Sequence, residues 1–178
     1  MIIDCHSHLA PKSWFHPKSR KSIFDIDGVI EEQQRAGVDI TVFGNNWIRT
    51  PDGADPLQVV KEFNEFAAEI TAKHPKRFFG LASSIPFGDD RVLKETERAV
   101  REYGLKGIMV SSSVDGEYLD SPRAEPFFQL VTDLNVPLFV HPPKFTIGNE
   151  KMEIFRLPEM LGRPFDTTLS VTRFILTG

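Results

Sequence analysis

Five times along this chain a short run of β-branched and aromatic residues gives way to a longer stretch with helical spacing. Strands are expected at 1–6, 39–43, 77–82, 105–110 and 136–141, and helices at 23–36, 57–73, 90–103, 122–134 and 164–176. The strand runs are apolar at successive positions, so both faces must be covered. That is the signature of a parallel sheet flanked by helices, an α/β fold. Ile23, Ile26, Ile30 and Ala36 recur near the helical period, and Gly37 supplies a stop. Val60, Phe63, Phe66, Ala67 and Ile70 form one apolar stripe that closes before Pro75. A stripe of this kind reads as core.

The pitch of the repeat narrows the architecture. Five units in 178 residues average about 36 residues each, close to the pitch of a (β/α)₈ TIM barrel. The chain is therefore expected to be a single domain, residues 1–178, truncated to about the first five β/α units of such a barrel. An open doubly wound sheet is the competing architecture, because an incomplete barrel leaves unpaired strand edges.

Composition removes several classes of function. Lys and Arg number 21 against 25 Asp and Glu, a net charge of −4 with no basic run, which argues against a nucleic-acid partner. No stretch approaches the roughly 18 apolar residues of a membrane span. Cys5 is the single cysteine, so no disulfide forms within the chain and a reducing compartment suits it. Its alternate position on the first strand predicts a buried small residue. Met1-Ile2-Ile3-Asp4 lacks the features of a signal peptide, so the expected location is cytoplasmic.

The segment Asp4-Cys5-His6-Ser7-His8 carries the strongest chemical signal. Residues two apart on a strand share a face, so His6 and His8 point together with Asp4 one step behind. Two imidazoles so spaced form a pincer for a transition metal, at the strand end where (β/α) folds place active sites. His141 ends the fifth strand before Pro142-Pro143 and is a third candidate ligand. His16 and His74 fall in a loop and at a helix end, where exposure is expected. Strand-end loops offer Asn45, Asn46, Trp47 and Arg49 after the second strand and Lys144 after the fifth. Trp47 suits stacking on a planar substrate, and Arg49 or Lys144 suits pairing with a carboxylate. Ser111, Ser112 and Ser113 read as hydrogen-bonding loop starters.

These pieces resemble the amidohydrolase superfamily, specifically the amidohydrolase-related branch that includes aminocarboxymuconate-semialdehyde decarboxylase. The matching segments are Ile3-Asp4-Cys5-His6-Ser7-His8, Gly104-Leu105-Lys106-Gly107-Ile108, Leu138-Phe139-Val140-His141-Pro142 and Arg163-Pro164-Phe165-Asp166-Thr167-Thr168. They occur in order over the whole chain. The resemblance implies a distorted barrel with one divalent metal, zinc, held by His6, His8 and His141. It implies decarboxylation or hydrolysis of a small carboxylated aromatic or unsaturated acid through a metal-activated water. It also implies a catalytic histidine after a sixth strand and an aspartate ligand after an eighth, neither of which this chain contains. The fourth strand ends in Val110-Ser111-Ser112-Ser113, with Lys106 at its other end, so the bridging lysine of a two-metal site has no counterpart.

The leading expectation is a metal-dependent lyase or hydrolase, inactive as this truncated chain. A non-catalytic fragment that self-associates as a homodimer or larger species is the alternative. A metal-dependent nuclease or phosphoesterase, whose barrels also open with H-x-H, is disfavoured by the acidic balance.

Overall fold

The computed structural model describes residues 1–17, 19–46, 55–144, 146–152 and 154–177. Its strands are β1 (Ile3–Ser7), β2 (Ile40–Phe43), β3 (Phe78–Gly80), β4 (Ala82–Ser83), β5 (Ile108–Ser111), β6 (Ser113–Val114), β7 (Glu117–Tyr118) and β8 (Leu138–His141). Its α-helices are α1 (Ile26–Ala36), α2 (Pro56–Lys73), α3 (Asp90–Arg101), α4 (Glu125–Leu134) and α5 (Arg163–Thr177).

β1, β2 and β3 pair in parallel, as do β4, β5 and β8. The two sheets are one curved arc. At Leu81 the chain hands over between neighbours: Leu81 N donates to Phe43 O (2.8 Å), while Lys106 N donates to Gly80 O (2.9 Å) and Ala82 N to Gly107 O (2.8 Å). The expected third strand is thus a single extended run that serves β2 with its first half and β5 with its second. Strand order follows chain order throughout. A doubly wound sheet reverses its order at a switch point; this arc does not, and it is the arc of a (β/α) barrel.

Each helix boundary has a local cause. Asp25 caps α1 by accepting from Gly28 N (3.0 Å), which shortens the expected helix and leaves Lys21–Phe24 as a 3₁₀ turn. Gly37 ends α1 at φ 69°, the left-handed geometry glycine tolerates best. Asp55 caps α2, with Pro56 in its first turn. Phe63, Ala67 and Ile70 of α2 pack with Phe43, Phe78, Ile108, Val110 and Phe127 in the core between helices and sheet.

Three expectations need correction. Cys5 is exposed, as is Ile3 two residues before it on the same face of β1, the edge strand of its sheet. His74 is half-buried rather than solvent-facing, its ring lying 5.9 Å from that of Phe78; His16 is exposed as expected. The residues after β5 do not form a simple loop: β6 and β7 make an antiparallel hairpin turning at Asp115-Gly116. Among the described residues no helix is long and apolar enough to cross a membrane.

Candidate metal centre

The C-terminal ends of β1 and β8 bring three imidazoles together. The ring nitrogens of His6, His8 and His141 offer one atom each within 4.8 Å of one another. Ring centroids are 5.0 Å apart for His6–His8, 5.1 Å for His6–His141 and 4.8 Å for His8–His141, and each pair of planes is nearly perpendicular. The β1–β2 register shifts between Asp4 and Ser7, a bulge at the point where the pincer projects. Asp4 stays behind this cluster, its Oδ1 accepting from His6 N (3.2 Å).

Two of the rings are fixed by backbone carbonyls. His8 Nδ1 lies 3.0 Å from Gly44 O, and His141 Nδ1 lies 2.8 Å from Pro142 O. A carbonyl only accepts, so each Nδ1 carries the proton and each Nε2 keeps its lone pair. This is the orienting hydrogen bond that metal-ligating histidines ordinarily make. Gly44 can present its carbonyl because it lacks a side chain: a Cβ there would sit 2.8 Å from Met109 Cε.

Burial keeps these rings neutral. It is the largest cause pushing His8 below the ordinary imidazole value, and it takes His141, only 6% exposed, down to about 4. The neighbouring histidines and the Arg163 guanidinium add to both shifts. The Nε2 atoms of His6 and His8 stand 3.2 Å apart. Two nitrogens on a tetrahedral zinc at ordinary bond lengths are ~3.3 Å apart. His8 and His141 therefore fit a divalent ion in tautomer and protonation state, and the His6–His8 separation fits one as well. Phe139 covers one side, its ring 5.0 Å from His6.

The flanking residues divide into structural and outward-facing groups. Asn45 and Asn46 are buried: Asn45 Nδ2 donates to Leu9 O (3.4 Å), and Asn46 Nδ2 reaches Ser111 Oγ (2.9 Å), His141 O (3.3 Å) and Pro142 O (3.4 Å). They build the rim rather than line an open loop. Lys144 is exposed just past β8. Trp47 and Arg49 lie outside the described residues. Lys106 precedes β5, at the end of the strand opposite Ser111.

Sequence reading missed one buried group altogether. Asp166 is fully buried in the first turns of α5 and accepts from Ser112 Oγ (2.5 Å), Ser113 Oγ (3.2 Å) and Tyr118 Oη (3.1 Å). An apolar moment along 164–176 gives no hint that a carboxylate on that helix points inward. The serines after β5 were the available signal, since three adjacent hydroxyls need an acceptor.

A parallel arc whose strand ends gather three histidines belongs to the (β/α)-barrel class that builds its sites at that face. More particularly, the chain belongs to the amidohydrolase family, which it matches over residues 3–164. Its relatives are decarboxylases. The 2-amino-3-carboxymuconate-6-semialdehyde decarboxylase of Dictyostelium discoideum is 28% identical over 99% of this chain and 58% of its own length. The gamma-resorcylate decarboxylase of Polaromonas is 30% identical over 79% of this chain and 46% of its own. The fold matches 5-carboxyvanillate decarboxylase from Sphingomonas paucimobilis with a TM-score of 0.87 at 18% identity, covering 98% of this chain and 62% of that one. It also matches a dihydroxybenzoic acid decarboxylase from Polaromonas, solved with bound manganese and the inhibitor 2-nitroresorcinol (TM-score 0.76, 20% identity, 98% and 60% coverage). The chain spans less than two thirds of the length of each of these relatives.

Proposed function

We propose that His6, His8 and His141 hold one divalent ion, zinc in this chain, and that the site serves decarboxylation of a small carboxylated aromatic or unsaturated acid. The observation that carries this reading is the convergence of three imidazole ring nitrogens within 4.8 Å at the strand ends, two of the rings oriented by backbone carbonyls. The likeness to decarboxylases supports the reaction class. Hydrolysis is the lesser reading of the same donors.

When bound, the ion supplies Lewis acidity towards a substrate oxygen. The chain's residues do the rest of what this half of the site can do. Neutral imidazoles leave most of the ion's positive charge available to a substrate anion. Phe139 keeps water from one flank of His6, and Asn46 locks the β5 and β8 ends in register. In the reaction, the bond from ring carbon to carboxylate breaks with its electron pair left on the ring carbon, carbon dioxide departs, and that carbon takes a proton. By the resemblance, a proton-handling histidine and a carboxylate ligand are expected on further strands. The 178 residues alone are therefore expected to bind the ion without turnover. Lys144 remains a proposed partner for the substrate carboxylate, and Trp47 and Arg49, outside the described residues, keep their proposed stacking and carboxylate-pairing roles.

Elemental analysis tests the reading. One equivalent of zinc or manganese per chain is expected in the wild type and well under a tenth in His8→Ala and His141→Ala. Equal content in all three chains would remove the site. Assembly with a second copy in the cytoplasm accompanies this proposal, carried by the exposed apolar residues Phe165, Phe174, Ile175 and Leu176 of α5.

A further inference from the structure

We propose that Asp166 is a positioning residue of the metal centre: through Ser112 it fixes the end of β8 and with it the place of the His141 ring. The inference rests on the reading of the three histidines as metal holders and extends that centre to the last helix.

The end of β8 depends on its neighbours. His141 is the last residue of that strand and pairs with Ser111 of β5 in the parallel register. Pro142 and Pro143 follow, and proline has no N–H to add to a ladder. The His141 carbonyl oxygen is therefore an anchor point, accepting from Ser112 N (2.8 Å) and from Asn46 Nδ2 (3.3 Å).

Ser112 is committed at every polar group. It lies between β5 and β6 with no exposed surface. Its N–H goes to His141, its Oγ donates to Asp166, and its carbonyl oxygen accepts from Ser170 Oγ (2.7 Å). Asp166 and Ser170 stand one turn apart on α5, and both are fully buried. Arg173 continues that face and forks onto Asp120 at 2.9 and 2.8 Å, just past β7. α5 thus grips the segment from Ser112 to Asp120 by a polar stripe, while its apolar Phe165, Val171 and Ile175 are exposed.

A carboxylate on that stripe suits fixing rather than filling. Burying one is costly unless its oxygens are met. Among the described residues the partners of Asp166 are hydroxyls: Ser112, Ser113 at 3.2 Å from each oxygen, and Tyr118 at 3.1 Å. None of the described ion pairs engages it. Three donors on two oxygens impose fixed directions, and a buried network so satisfied rigidifies what it joins. Ser113 and Tyr118 are cross-strand partners in the β6–β7 hairpin, whereas Ser112 bonds directly to the backbone of a metal-holding residue.

Manganese titration and histidine-labelled nuclear magnetic resonance of the full chain test this route. Asp166→Asn replaces an acceptor oxygen by a donor, and Ser112→Ala cuts the link. Each is expected to weaken manganese binding at least tenfold at unchanged far-ultraviolet dichroism. The double variant should bind no worse than the weaker single one, since both remove one connection. Tyr118→Phe takes another hydrogen bond from the same carboxylate but spares the Ser112 route, so it should bind manganese like the wild type. In the metal-free chain the His141 ring resonances should move in Asp166→Asn and Ser112→Ala, with those of His16 in place. Affinity unchanged in Asp166→Asn or Ser112→Ala, or equally reduced in Tyr118→Phe, overturns the inference. Should Asp166→Asn fail to fold, Ser112→Ala decides by the same readouts. A wild-type chain that holds no manganese overturns the histidine reading instead. Asp166 is then judged on the metal-free chain, where unmoved His141 resonances in Asp166→Asn overturn its role.

Discussion

Asn46 grips His141 by its backbone, its Nδ2 lying 3.3 Å from the His141 carbonyl oxygen and 2.9 Å from Ser111 Oγ on the neighbouring strand. Asn46→Ala strips buried acceptors of a donor and should cost about 1–3 kcal/mol of stability in urea unfolding. Because the same contact sets the end of β8, metal affinity should fall roughly tenfold as well. An unchanged affinity in a destabilised variant would confine Asn46 to packing.

His6 is exposed whereas His141 is buried, so the two proposed ligands should differ in how their loss is felt. His6→Ala should abolish metal retention with little change in the stability of the metal-free chain. His141→Ala should lower both, the stability by about 1–2 kcal/mol, since it also removes a buried ring and its bond to Pro142 O. Elemental analysis beside metal-free urea unfolding separates the two effects.

Tyr118 titrates late. Burial, then the charge of Asp166 and the hydrogen bond to it, push its hydroxyl up to about 12. A raised folded value means the neutral phenol stabilises the fold fully below the ordinary pH of about 10, and this contribution is lost as pH climbs towards 12. Ultraviolet absorbance should show tyrosinate appearing near pH 12. In Asp166→Asn the rise should come earlier, part of the way back, because burial persists. Identical curves would detach Tyr118 from Asp166.

Phe63 has no exposed surface and packs its ring 6.1 Å from both Trp14 and Phe66. Phe63→Ala should cost about 3–5 kcal/mol, read as a lower urea midpoint.

The exposed apolar end of α5 should make the chain self-associate at micromolar concentration. Light scattering should report dimers or larger species, and Ile175→Glu with Leu176→Glu should shift the distribution towards monomer. A wild-type monomer at all concentrations would dismiss the assembly.

Periodicity made the architecture legible: five apolar strand runs and five helical stretches appear where local pattern places them, within a few residues. The histidine cluster was legible too, because strand geometry fixes which residues share a face and strand ends share a rim. What escaped was decided by distant partners. Cys5 alternates like a buried residue, yet exposure depends on whether another strand lies beside β1. Asp166 reads as an ordinary helix-start carboxylate until the hydroxyls of Ser112, Ser113 and Tyr118 are known to meet it. The split of the third strand at Leu81 depends on curvature, which no local run of residues encodes.

Strand order in the arc follows chain order, and this has a bearing on how the protein is made. Each strand docks on the one synthesised just before it, so the sheet can lengthen from the amino-terminal end as the chain emerges, without waiting for remote segments. The histidines are the exception. His8 is synthesised long before His141, and neither is oriented until Gly44 and Pro142 are in place. Assembly of the pincer therefore waits for β8 to dock on an arc that already runs from β1 to β5, and an ion captured there would latch the two ends of that arc together.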